Sequence, residues 1–345
     1  MTFRPPEIPL GAMRFNSDSQ KLEYWIGDVW MQVKTFSPNL DGGVRGVHNI
    51  GNFTPAINTL NFINISSQGN ATDFGDSTEA RVGGSCPSSK TRGLFGGGNG
   101  GAPAYPSSVT IDFITFSSTG DATDFGNLTD GADYGRSCIS SGTRGLFAGG
   151  WPANSDVIDF VTIASLGNAL DFGNLNENMG GGPTGASSPT RGVFVGGYHP
   201  SPSPLVTRDT LQYVTIATIG NTQDFGDLSI SRAHSGTSGN ATRIVAAAGY
   251  TGSGPSTPHL KSVEFITIST LGNGTQFGEL STTMFAAGSA SSPTRAAFFG
   301  GSTPSVINTI QYISISTGGD AVDFGDMTAA GAWIGANSNG HGGLG

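Results

Sequence analysis

Hydrophobic positions in this chain come in short runs separated by Gly, Ser, Thr, Asn and Asp, and the runs recur at a regular interval. The strongest is Ile111-Asp112-Phe113-Ile114-Thr115-Phe116, with counterparts at 157–163, 211–216, 263–268 and 310–315. Runs of β-branched and aromatic residues of this length, bounded by turn formers, predict strands. Polar and apolar positions alternate only partly, so both faces carry large apolar groups. A sheet packed between two neighbouring sheets requires that pattern.

Three other patterns share the period. One is Thr190-Arg191-Gly192-Val193-Phe194-Val195-Gly196-Gly197, seen again from Thr91 and Thr143 and blurred after Arg45, Arg243 and Arg295. These arginines lie 47 to 52 residues apart. Before each comes a stretch of small residues, such as Val82-Gly83-Gly84-Ser85-Cys86, and a tight turn such as Ser188-Pro189-Thr190-Arg191. Pro suits the second position of a type I turn. The last pattern is Asp-Phe-Gly-Asp/Asn, with its Phe at 74, 125, 172, 225, 277 and 324; Gln276 replaces the first Asp in one copy.

Four short strands per repeat, the first rich in Gly, Ser and Ala, describe a propeller blade. The Gly-Gly pair after the second strand, the aromatic third strand and the aromatic in the fourth resemble the kelch repeat, with Phe where kelch usually has Trp. The Asp-Phe-Gly-Asp and Thr-Arg-Gly-Val-Phe signatures resemble repeats of cyanophage structural and tail proteins. The first repeat starts at its second strand, Arg45, and lacks a first. Gly331-Ala332-Trp333-Ile334-Gly335-Ala336-Asn337 is in register to supply it. The expected fold is all-β: a six-bladed kelch-like β-propeller over 42–345, closed by a C-terminal strand, preceded by a small β-meander over 1–38. Closure removes the open sheet edge that invites aggregation. Residues 339–345 are expected to form an exposed tail.

The meander is read from Ala12-Met13-Arg14-Phe15-Asn16, Lys21-Leu22-Glu23-Tyr24-Trp25 and Val29-Trp30-Met31-Gln32-Val33, with Gly27-Asp28 as a hairpin turn. Three strands are marginal alone. Tyr24, Trp25 and Trp30 are therefore expected to form a docking interface with another protein, since exposed aromatic clusters mark interfaces. This segment resembles one common in bacteriophage tail-fibre and virion structural proteins.

Composition narrows the function. Charged residues are 12% and the net charge is −9, which argues against phosphate-neutralising nucleic-acid binding and against an anionic membrane surface. The start, Met1-Thr2-Phe3-Arg4-Pro5-Pro6, has no apolar signal region, and no apolar window is long enough to span a membrane. Cys86 and Cys138 each lie six residues before a repeat Arg. They read as small buried residues too far apart for a disulfide, hence as free thiols of a reducing compartment.

A residue repeated in every blade serves the blade. Arg45, Arg92, Arg144, Arg191, Arg243 and Arg295 are therefore expected to pair with Asp73, Asp124, Asp171, Asp224 and Asp323. Asp76, Asp227, Glu279 and Asp326 read as turn chemistry. Function belongs where repeats differ, in the loops between second and third strands, which should share a face with the loops linking fourth to first strands. Tyr105, Trp151, Tyr198, His199, Tyr250 and His259 stand in the former and are the candidate glycan or receptor site. Aromatic rings with one polar edge suit sugar stacking and interface burial alike, and such rings could also simply cover their own loops. No nucleophile elbow, His-Glu-x-x-His or phosphate loop occurs, and the five histidines lack metal-ligand spacing. No Tyr/His/Cys set matches the copper oxidases among kelch-type propellers.

The sequence is therefore read as a non-enzymatic phage virion component without cofactor or metal, made in the host cytoplasm. It docks on other virion proteins through the meander, forms a homo-oligomer (a trimer is expected), and recognises a host glycan or receptor through its propeller. A purely architectural virion protein is the alternative, and a glycan-cleaving propeller a third reading; Asp130, Asp133 and Asp156 are carboxylates nothing singles out.

Overall fold

In the computed structural model the described residues are all except 1–7, 17–20, 33–43, 52–53, 103, 105, 132–134, 152–154, 178–180, 183, 200–205, 253–257 and 345. The chain divides into two compact units, Met1–Gly42 and Gly43–Gly345. Both are built of antiparallel strands, and no helix among the described residues is long and apolar enough to cross a membrane.

The first unit holds Met13–Asn16, Lys21–Trp25 and Trp30–Gln32 in one three-stranded sheet. In the second unit the repeats form six sheets. The third, fourth and fifth each contain four strands in sequence order. In the first sheet Arg45–Asn49, Thr59–Asn64 and Thr72–Asp76 are joined by the C-terminal Ala336–Ser338, which pairs antiparallel with Arg45–Asn49. The second sheet has Arg92–Gly96, Thr110–Thr115 and Thr123–Asn127. Its first strand is reduced to isolated bridges at Ser85 and Ser88. Pro87 stands between them and has no N–H to give a ladder.

The Asp-Phe-Gly pattern is a bulge. In all six sheets the register between third and fourth strands shifts at the same place, as between Ile158 and Asp159. The skipped residue is the Phe; Phe172 is fully buried. The following glycine brings the backbone against the next sheet. Gly173 has φ +144°, and a Cβ there would meet the Gly220 carbonyl oxygen at 2.5 Å. Gly220 in turn donates its N–H to the Phe172 carbonyl. Gly69, Gly120, Gly167, Gly272 and Gly319 make the same backbone bond to Phe324, Phe74, Phe125, Phe225 and Phe277.

Apolar packing follows the same rule. Leu94, Ile111 and Phe125 of the second sheet pack with Phe147, Val161 and Ile163 of the third. Each cluster of this kind joins two consecutive sheets, and one joins Phe299, Ile310 and Phe324 of the sixth to Ile63 and Ile65 of the first. Both faces of each sheet are covered by its neighbours, which explains the broken alternation of the third strands. The arrangement is propeller-like.

Two expectations need correction. The repeated arginines do not pair with the Asp-Phe-Gly carboxylates. Arg144 lies over the Phe160 ring, 4.9 Å from its centroid, and donates through Nη1 to the carbonyls of Ile216 and Ala217 in the next sheet. The other five stack likewise on Phe62, Phe113, Tyr213, Phe265 and Tyr312 and bond carbonyls one sheet on, Arg295 reaching Ile65 and Ser66. Carbonyls at the end of a third strand are left over by the ladder, and a guanidinium satisfies them without desolvating a carboxylate. Arg191→Ala is expected to cost about 1–3 kcal/mol, from the lost stacking and charged hydrogen bond; a melting curve checks it. The second correction concerns the tail. His341 is half-buried, and Gly342 and Gly343 are buried in a short 3₁₀ turn against the first strands of neighbouring sheets, not exposed.

Candidate functional site

Loops between second and third strands meet loops between fourth and first strands at one end of the sheets. Val82 bridges Asn99, Gly181 bridges Tyr198, Ala233 bridges Tyr250 and Phe285 bridges Ser302. This pairing draws Tyr198 and Tyr250 inward. They are 4% and 3% exposed and pack with Ala233, Phe285, Ala286 and Ala332, with Trp151 and Trp333 at the border. Tyr198 and Tyr250 thus contribute to the packing of this end, with little of either ring exposed. Trp151 and His259 remain half-buried, against Tyr198 and Phe285 with centroids 6.3 and 4.7 Å apart. Tyr105 lies outside the described residues, and of His199 only the backbone pairing with Val206 is described.

The residue at the centre of this cluster has no counterpart in the sequence-based site. His234 sits 5.8 Å from Tyr198, 5.6 Å from Tyr250 and 4.4 Å from Trp333, ring to ring. It also belongs to a set of six residues with positive φ, one before each first strand: Gly83, Gly135, Gly182, His234, Ala286 and Trp333. Their backbones are linked in series. Gly182 donates to Gly135, His234 to Gly182, Ala286 to His234, Trp333 to Ala286 and Gly83 to Trp333. Aligning the six loops on this slot reads Gly, Gly, Gly, His, Ala, Trp; that comparison would have revealed it.

Beneath lies a cavity of about 140 Å³ lined by the first strands of all six sheets and by His341; a smaller one of about 80 Å³ under His234 and Trp333 shares several lining residues with it. The walls are mostly hydroxyls and small residues. Hydroxyls of Ser88, Ser187, Ser291 and Ser338 donate to carbonyls of the adjacent first strand. Both cysteines are free. Burial pushes the Cys138 thiol up to about 11 and Cys86 up as well, so both stay protonated. The Cys86 amide meets the Cys138 sulfur, while the Cys86 thiol turns away to the Gly84 carbonyl.

At the far end Ser140 and His341 resemble a catalytic dyad, 3.3 Å apart, but the protons are wrong. Gly343 N–H donates to His341 Nδ1, so the neutral ring carries its proton on Nε2 and gives it to the Ser88 carbonyl. No lone pair faces Ser140. Among the described residues no group of three or more His, Cys, Asp or Glu is placed to hold a metal ion.

The sheets also hold ionic pairs that the sequence reading missed. Arg81 meets Asp112, Arg136 meets Asp159 and Asp130, and Arg232 meets Glu264. Asp112, Asp159 and Glu264 occupy one slot, filled elsewhere by Asn61, Gln212 and Gln311. Burial raises the Asp112 and Asp159 carboxyls, with the arginines and threonine bonds opposing it.

Three shielded histidines, His48 and His234 buried and His341 half-buried, make stability pH-dependent. Burial holds His48 and His341 down at about 4 and His234 at about 3. The unfolded chain protonates all three near pH 6.5 while the folded protein does not. Their contribution is thus fully present above pH 6.5 and is lost as pH falls toward 4, at about 1.4 kcal/mol per pH unit for each. The raised carboxyls pull the other way, at lower pH. The melting temperature should fall between pH 7 and 5; a flat profile contradicts this.

In the N-terminal sheet, Trp25 and Trp30 contact each other at 5.4 Å, and Arg14 lies over Trp30 while its charge meets buried Glu23. The indoles therefore share one face with this ion pair. Met13, paired with Tyr24, and Phe15 stand on the other and are 61% and 66% exposed. Tyr24 and Met31 extend that open apolar row. The six-residue aromatic set and the Trp pair were both legible as types; which rings stay open was not.

No family model matches the chain, and no curated protein matches it.

Proposed function

We propose that this protein is a non-enzymatic recognition module: a closed, six-bladed, kelch-like propeller, carried on an N-terminal docking sheet, in a bacteriophage virion or tail fibre. Closure is supported by the return of the Arg295 and Gly69 bonds from the sixth sheet to the first, and by Ala336–Ser338 completing the first sheet. One observation carries the functional reading. The side chains that repeat in every sheet are spent on sheet-to-sheet bonds, whereas the side chains that differ gather at one end, around Trp151, His234, His259 and Trp333. A group of differing side chains at the loop end of a repeated frame is what recognition of a host glycan or receptor uses. The exposed row of Met13, Phe15, Tyr24 and Met31 supports attachment to other virion proteins and assembly as a homo-oligomer. The test is binding of the full chain to a glycan array and to cyanobacterial envelope preparations. Saturable binding that weakens in Trp151→Ala/His259→Ala supports recognition. No binding to any preparation favours an architectural role.

A further inference from the structure

The observations converge at the cavity mouth. Six left-handed residues surround it, and three are glycines, which adopt that conformation at no steric cost. The other three are His234 (φ 52°), Ala286 (φ 57°) and Trp333 (φ 61°). Bulky residues held in that region cost on the order of 1–3 kcal/mol and gather at binding sites. The same fold closes the ring with glycine three times, so the frame does not need these side chains.

His234 is 6% exposed and lies over bare glycine backbone; a Cβ on Gly182 would meet its Nδ1 at 2.7 Å. Its described partners are rings: Tyr198, Tyr250 and Trp333. Burial alone lowers its pKa, with no hydrogen bond to offset it. A buried imidazole without a protein hydrogen bond is thus aimed into a cavity. Deeper in, Ser137 and Ser238 also carry buried hydroxyls without partners.

The charge of the site selects the ligand. The lining guanidinium of Arg136 is held by Asp130 and Asp159, and both thiols and all facing imidazoles are neutral. Among the described lining residues no ionised group is left to meet an ion. Thr184, Ser235 and the His234 imidazole supply polar groups to the mouth, and Ala286, Trp333 and Ile334 beside them supply apolar surface, which matches a molecule with hydroxyl edges and an apolar face. We propose that the mouth lined by Gly83, Gly182, His234, Ala286 and Trp333 is a binding site for one neutral sugar residue, entered from the loop end of the sheets. This rests on, and sharpens, the reading of the protein as a recognition module. It places the contact at the mouth, beside Tyr198 and Tyr250.

The experiment is ligand-observed NMR of the full chain with the methyl glycosides of glucose, galactose and mannose, and with sialic acid as a charged control. His234→Gly and Trp333→Gly restore what three other sheets carry, so both should fold, as a melting curve verifies. At least one neutral glycoside should show saturation transfer, sialic acid none, and each variant should weaken binding at least tenfold. No transfer from any neutral glycoside, or equal binding by both variants, overturns the site. Envelope binding is measured on the same samples. Envelope binding that persists in both variants rejects this site and leaves the recognition reading intact; glycoside binding without envelope binding does the reverse.

Discussion

Arg232→Leu should lose about 3–5 kcal/mol of stability, because it strands a carboxylate in the interior. Arg232 and Glu264 are both fully buried, 2.5 Å apart, and Arg232 also binds the Ser262 carbonyl. Glu264 keeps a second bond from the Ser229 amide, so it cannot leave its site when the cation is gone. The fold contains the remedy. In the fourth and sixth sheets the same slot holds Gln212 and Gln311, which accept the equivalent amides of Asn176 and Ser281. The double variant Arg232→Leu/Glu264→Gln copies that chemistry and should regain most of the loss. Chemical denaturation of the single and double variants decides it. If the double variant is no more stable than the single, the damage is lost packing and not a buried charge.

Gly173→Ala should be as harmful, for a steric reason. The residue has positive φ, and its Cβ would lie 2.5 Å from the Gly220 carbonyl oxygen of the next sheet. That oxygen is backbone held in a sheet-to-sheet contact and cannot swing away. Gly220 is the control: it sits in the same contact with φ +158°, and a Cβ there meets nothing within 4 Å. Gly220→Ala should cost only the conformational term, about 1–2 kcal/mol, and Gly173→Ala at least about 2 kcal/mol more. Equal melting temperatures for the two would mean that the sheets are not held this closely.

Much of this was legible in the sequence because repeats amplify weak signals. Six copies of Phe-Gly, five of them led by Asp, marked the fourth strands, and the orphaned start at Arg45 pointed to a C-terminal partner, which pairs over Ala336–Ser338. The errors share a cause. Sequence shows side chains but not leftover backbone carbonyls, so charge alone suggested that Arg144 seeks Asp171, when Ile216 and Ala217 hold the open acceptors. The same blindness made the Gly-rich tail look exposed, although glycine is what lets it lie against the Ser140 and Ser187 backbone. Aromatic residues after the Gly-Gly pair looked available because loop residues usually are; bridges from Gly181 and Ala233 fold Tyr198 and Tyr250 under. Arg81, Arg136 and Arg232 escaped notice because only some sheets carry them, and a search for repetition discards the exceptions. His234 was lost for the same reason, and Trp333 was read as part of the closing strand, which begins only at Ala336; both line the mouth.

The measurement that bears most directly on the whole account is thermal unfolding of a chain ending at Gly335 beside the full chain. If the C-terminal strand completes the first sheet and ties the six sheets into a ring, removing it exposes the Arg45–Asn49 edge and opens the axial cavity. The shortened chain should then melt at least 10 °C lower, by the order of magnitude expected for several lost hydrogen bonds and their packing, and should aggregate through its open edge. A shortened chain that stays monodisperse and melts with the full-length protein would contradict a closed ring, and with it the proposed placement of a recognition site on its axis.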